Sequence, residues 1–146
     1  MTGSKISAKF RRILVGYDGS QESEKAFQVG LSMANALDSR LEILAVIQPG
    51  EPATSVSAHD ALEHARKHYE LALRKIVEAA NGHGANVETS IVVGHPADEI
   101  IKRAEQSRSD LVVVGRRGTS SFKNLDMGSV SEHVLAHAPC PVLVTT

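Results

Sequence analysis

The sequence predicts a single doubly wound α/β domain, and three observations carry that prediction. Five short apolar runs alternate with four stretches of helical periodicity, in the order β-α-β-α-β-α-β-α-β. Apolar strands separated by single helices imply a parallel sheet covered on both faces, with right-handed crossovers. At 146 residues, with no internal repeat and no composition break, the chain fits one domain.

The elements follow in order. Residues 1 to 10 read as a flexible tail, because the basic start MTGSKISAKFRR is followed by no long apolar segment. Ile13-Leu14-Val15-Gly16 is the first strand, closed by the turn Asp18-Gly19-Ser20. Ser20 is placed to cap a helix in which Ala26, Val29, Gly30, Met33, Ala34 and Leu37 share a face. Glu22 and Glu24 sit favourably at its positive end. Asp38-Ser39 breaks this helix, and Leu41 to Ile47 makes the second strand. After a loop over 48–57, the helical pattern returns from Ala58 to Ala80 and stops at Asn81-Gly82-His83-Gly84. Val87 to Val93 is the third strand. Pro96 suits the first position of a helix that runs to about Gln106, with Asp98 and Glu99 in its opening turn. Leu111 to Val114 is the fourth strand. Ser129-Val130-Ser131-Glu132 fits the S-x-x-E capping box of a last helix ending near His137, and Val142 to Val144 is the fifth strand.

Composition narrows the classes of function. The chain is 42% hydrophobic and 3% aromatic without tryptophan, so the core is built from Val, Ile, Leu and Ala. Seventeen acids against sixteen bases leave a net charge of −1, which provides no general attraction to nucleic acid or to an anionic membrane. A single cysteine, Cys140, excludes an internal disulfide and a cysteine metal cluster. No apolar run approaches the ~18 residues of a membrane span, and the expected location is cytoplasmic.

The informative stretch is GRRGTSSFKNLDMGS, residues 115 to 129. It leaves the fourth strand through three glycines, four hydroxyl side chains and three basic residues. Gly115 and Gly118 let the backbone pass close to a ligand. Gly128 and Ser129 stand at the start of the last helix, whose first amides lack intrahelical partners and attract anions, phosphate above all. Ser129 either caps the helix or donates to a phosphate, and Arg116, Arg117 and Lys123 add positive charge. A surface loop ahead of a capped helix has the same spacing, so spacing alone leaves both readings open. There is no G-K-[ST] of a Walker A loop, and the dinucleotide fingerprint belongs after the first strand. In doubly wound folds ligands bind at the C-terminal strand ends where strand order reverses. The loop and the Asp18 turn both lie at such ends.

Gly115-x2-Gly118-x9-Gly128-Ser129, ahead of VSEHVLAHAPCPVLV, resembles the nucleotide motif of the universal stress protein family. ILVGYDGSQESEKAF resembles that family's first strand with its Asp, and CPVLVTT its last strand. The likeness runs from about residue 11 to 146. It implies a Rossmann-like five-stranded sheet of order 3-2-1-4-5, which sets the first and fourth strands side by side. It further implies ATP, with Mg2+ arriving on the nucleotide. Asp18 would contact the nucleoside and the backbone of Val46 the adenine. Gly115, Gly118, Gly128 and Ser129 would hold the phosphates. Gly16, Tyr17, Val114, Arg116, Arg117 and Val130 flank these positions and complete the candidate site. Arg116-Arg117 departs from the small or neutral residues also common there, and either strengthens phosphate binding or clamps a partner subunit. The resemblance also implies a homodimer through the last strand, Val142 to Thr146, an edge that otherwise presents unpaired backbone groups.

Other constellations are weaker. His64 and His68, like His133 and His137, are four apart on a helix, a zinc-compatible spacing, but no H-E-x-x-H and no third ligand accompany them. His95 reads as a turn residue. Asp18, without the resemblance, reads as an Asp bonding its own turn. Three classes of function stand: an ATP-binding signalling module with little or no turnover, a slow ATPase or autokinase using Asp18 or Asp126, and a dimeric interaction module without nucleotide.

Overall fold

The computed structural model describes residues 9–49, 57–82, 86–116 and 128–146. Their elements are β1 (Arg12–Tyr17), α1 (Gln21–Leu37), β2 (Arg40–Ile47), α2 (Ala58–Asn81), β3 (Asn86–Val93), α3 (Pro96–Gln106), β4 (Leu111–Gly115), α4 (Ser129–His137) and β5 (Val142–Thr145). The sheet runs β3-β2-β1-β4-β5 with every neighbouring pair parallel. This is the doubly wound order that the resemblance implied, and its strand order reverses between β1 and β4.

Local chemistry explains the boundaries. Ser20 caps α1 by accepting the Ser23 N–H at 3.1 Å, and Asp38 ends it in the left-handed region at φ 54°. Gly19, at φ +84°, makes the turn that joins β1 to that cap. Ser57 caps α2 through the Asp60 N–H, and Pro96 occupies the first turn of α3. The capping box assigned to Ser129 is shifted by one residue. Gly128 takes the cap position of α4 and Ser129 is its first helical residue. The reason is tertiary, because the Gly128 N–H is drawn into a 2.7 Å bond with the Arg116 carbonyl.

Strand alternation divides the core into two layers. Ile13, Val15, Ile43 and Val113 pack under α1 and α2 with Phe27 and Ile76. Leu14, Leu44, Val112 and Val114 pack under α3 and α4 with Ile100 and Val134. The two edge strands are less enclosed than the β2-β1-β4 centre, as their single neighbour requires. The chain is tied down from Phe10 onward. Phe10 packs on the first layer, Ser39 Oγ donates to its carbonyl, and Asp110 Oδ2 accepts the N–H groups of Arg11 and Arg12 at 2.8 and 2.9 Å. Residues 1–8 of the expected tail lie outside the described residues. No helix among the described residues is long and apolar enough to cross a membrane.

Candidate functional site

The β1–β4 ladder stops early. Its last pair is Val15↔Val113, whereas β1 follows β2 to Tyr17↔Ala45 and β4 follows β5 to Gly115↔Thr145. The two central strands share no ladder pair over their final residues, Gly16-Tyr17 and Val114-Gly115, though a Cβ on Gly16 would still stand 3.3 Å from Val114 Cγ1, and in doubly wound folds the ligand crevice lies at this switch point. β2 outruns β1 by Val46 and Ile47. The Ile47 carbonyl accepts from Gly94 on the β3 side, at 2.9 Å. Alternation then turns the amide and carbonyl of Val46 toward the β1 side, above the end of β1.

Two helices start at this crevice, and they start differently. α1 is fully dressed. Ser20 caps it, Glu22 and Glu24 lie in its first turn, and Asp18 Oδ1 accepts the Ser20 N–H at 2.9 Å. Asp18 thus makes the turn that its sequence position suggests. Its own N–H reaches Ser23 Oγ at 3.3 Å, and its carbonyl accepts from Tyr69 of α2 at 3.4 Å. α4 is bare by comparison. Its cap residue Gly128 has no side-chain acceptor for the first-turn amides, and Glu132 is its one first-turn acid. Among the described residues no side chain caps the positive end of α4, the kind of helix start at which anions bind.

The loop leaves and returns through one point. The Arg116 N–H donates to the Thr145 carbonyl at 2.7 Å, and the Arg116 carbonyl accepts from the Gly128 N–H at 2.7 Å and from Ser131 Oγ at 2.7 Å. Arg117 and Gly118 lie outside the described residues, as do Thr119, Ser121, Lys123 and Asp126. Arg116 is half-buried, and its Nε is the buried side-chain nitrogen among the described residues without a hydrogen-bond partner. Such a donor is costly to leave unmade.

The structure therefore brings Asp18, Gly115, Arg116, Gly128, Ser129 and the Val46 backbone to the same end of the sheet, and Ser129 stands exposed there. Other candidates offer the crevice backbone only. Val114 and Tyr17 bury their side chains in the two core layers, and Val130 packs on the α3/α4 layer. The Tyr17 hydroxyl donates to Glu24 Oε1 at 2.5 Å. Burial first, then that bond and the neighbouring charges of Glu24 and Asp18, push its pKa well up. Tyr69 is raised by burial and by Asp18. Sequence reasoning missed Tyr69 and Ser131. Both act across distances of 51 and 15 residues, for which a single sequence carries no signal.

The histidine pairs lie on helices, His64 and His68 on α2 and His133 and His137 on α4. His133 and His137 hold their rings 4.6 Å apart, and His133 Nε2 lies 3.4 Å from Asp98 Oδ1 of α3. Among the described residues no group of three or more side chains is disposed to hold a metal ion. His95 sits at the cap position of α3 without a side-chain capping bond. Cys140 is half-buried, and burial, followed by Asp110, raises its thiol pKa.

The sheet order and its parallel pairing define a doubly wound α/β protein whose switch point lies between β1 and β4. Residues 9–146 match the model of the universal stress protein family, and the chain belongs to that family. It is 34% identical over 140 residues to a universal stress protein of Thermus aquaticus, covering 92% of this chain and 98% of the relative. Universal stress protein UspA from Lactobacillus plantarum superposes with a TM-score of 0.89 at 28% identity, over 96% of this chain and 100% of that one. A universal stress protein solved in complex with cAMP superposes with a TM-score of 0.71 at 27% identity, over 94% and 98% of the two chains.

Proposed function

We propose that this protein binds an adenine nucleotide, ATP with its Mg2+, in the β1/β4 crevice and acts as a cytoplasmic, homodimeric signalling module with little or no turnover. The observation that carries this is the end of the β1–β4 ladder at Val15 and Val113, with the Asp18 turn and the start of α4, which has no side-chain cap, at the same end of the sheet. In the proposed pose the Val46 backbone meets the adenine and Asp18 the nucleoside. The phosphates lie on the glycine-rich segment Gly115 to Ser129, including Gly118, against the first amides of α4. The unpartnered Nε of Arg116 suits an anionic ligand. The cAMP complex of a structural neighbour supports the same ligand class. Among the described residues, two acids near the end of β1 already serve structure, Asp18 in its Asx turn and Glu24 on Tyr17, which favours binding over turnover.

The first experiment is to denature purified protein and identify released small molecules by mass spectrometry, followed by titration with Mg-ATP. Adenine nucleotide bound to the wild type and lost in Gly128→Val supports the reading. No binding at millimolar Mg-ATP overturns it.

One observation favours the dimeric interaction module as a second reading. A groove of about 540 Å3 runs between α1 and the β5 edge, with Val29 and Leu143 among its lining residues. Self-association through that groove would require no nucleotide.

A further inference from the structure

The segment that would wrap the phosphates is closed at its base by a side chain outside the glycine motif. Ser131, at 1% exposure, is among the most buried polar residues described. Its hydroxyl points across 15 residues to the Arg116 carbonyl at 2.7 Å, and it also stands 3.0 Å from the Gly128 carbonyl. The Arg116 carbonyl receives the Gly128 N–H as well, so both of its lone pairs are used. A serine in the first turn of a helix ordinarily turns to solvent or bonds its own backbone. Here the hydroxyl reaches the Gly128 carbonyl of its own turn and, by the shorter bond, also joins the first turn of α4 to the residue that follows β4.

We infer that Ser131 is a positioning residue: with the Arg116 carbonyl it forms a clasp that fixes where the first amides of α4 stand relative to the end of β4. The inference rests on the proposed nucleotide reading and deepens it. Phosphate contacts at a helix start depend on amides held at hydrogen-bond distance, and a shift of a few tenths of an ångström at several donors weakens each of them. The Asp18 turn, which would meet the nucleoside, is held separately by Ser20, Ser23 and Tyr69 and does not depend on the clasp. Loss of the Ser131 hydroxyl should therefore act on the phosphate half of a ligand and spare the nucleoside half.

The test compares ATP with adenosine, by calorimetric titration of wild type, Ser131→Ala and Ser131→Thr. Ser131→Ala is expected to bind ATP about fivefold more weakly, on the scale of one hydrogen bond, while its affinity for adenosine is unchanged. Ser131→Thr keeps the hydroxyl and should keep the ATP-to-adenosine ratio of the wild type. In ligand-free Ser131→Ala, amide hydrogen exchange at Gly128 should quicken relative to the rest of α4, a readout that needs no nucleotide. An equal loss for both ligands, or unchanged Gly128 exchange, would make Ser131 merely structural and overturn the clasp alone. A wild type that binds neither ATP nor adenosine would overturn the nucleotide reading and the inference with it.

Discussion

A Cβ built on Gly115 would stand 2.8 Å from the carbonyl carbon of Glu22 and 2.9 Å from its oxygen, so β4 and α1 meet there backbone against backbone. Side chains can swing away from a new methyl group, but a helix backbone in its first turn cannot. Gly115 is thus required by packing, whatever it does for a ligand. Gly115→Ala should destabilise the fold by about 1–3 kcal/mol, the range for overpacking a close contact. Chemical denaturation measures this, and a midpoint equal to that of the wild type would show that α1 yields. The same variant warns against reading lost nucleotide affinity at Gly115 as a lost ligand contact unless stability is measured beside it.

Much of this arrangement was legible in the sequence. Pro96, the S-x-x-E stretch and the breaks at Asp38 and Asn81 located the helices to within a residue or so. Such signals are local, made of one turn's own caps and periodicity. Adjacency of β1 and β4 was not local and came from the family resemblance. Three features of the site escaped: the Ser131 clasp, the bond from Tyr69 to the Asp18 carbonyl, and Gly128 rather than Ser129 as the cap of α4. Each depends on a partner brought near by the finished fold. The partly exposed β3 edge follows from the order 3-2-1-4-5 that the resemblance implied.

Alkaline pH should act through the two tyrosines. Tyr17 is raised chiefly by burial and then by Glu24, and Tyr69 by burial and then by Asp18, both from an ordinary value of 10.0. The fold favours their neutral forms. The stability they contribute is complete below that ordinary value and is lost as pH rises through the higher folded values. With two tyrosines and no tryptophan in the chain, ultraviolet titration of tyrosinate reads both directly. Both should ionise above 10.0, Tyr17 last and together with loss of structure. Glu24→Gln should bring the Tyr17 transition down. A single midpoint at the ordinary value would show that neither hydroxyl is buried as described.

Asp18 permits a cleaner separation of fold from function than Gly115 does. Its Oδ1 accepts the Ser20 N–H, a role that the amide oxygen of asparagine can keep. Asp18→Asn should therefore melt close to the wild type. If the carboxylate receives nucleoside hydroxyls, the same variant should bind ATP and adenosine about tenfold or more weakly, since hydrogen bonds to a charged acceptor are the stronger kind. Parallel loss of both ligands is the expected signature, in contrast to the selective loss expected for Ser131→Ala. Unchanged affinity would place the nucleoside elsewhere and leave Asp18 a turn residue.

The free edge of β5 leads to the last prediction. The carbonyl of Pro141 accepts from Val112 of β4 at 3.0 Å and that of Thr145 from Arg116 just beyond β4 at 2.7 Å, so alternation directs the amides and carbonyls of Val142 and Val144 outward, off the sheet. Leu143 lies between them on the α1 side, 36% exposed beside the groove that also takes in Glu24 and Lys25. A twofold copy laid antiparallel on this edge would satisfy those backbone groups and cover both Leu143 side chains, with the opposite charges of Glu24 and Lys25 available at the rim. Leu143→Lys places a charge at the centre of the contact while leaving the β4 ladder intact, so it should shift a dimer to monomer in sedimentation or light scattering at micromolar concentration. As a surface change it should alter monomer stability by no more than about 0.5 kcal/mol. A wild type that is already monomeric would refute pairing through this edge. A dimer that survives Leu143→Lys would move the interface to another surface, with the outer edge of β3 the next to test.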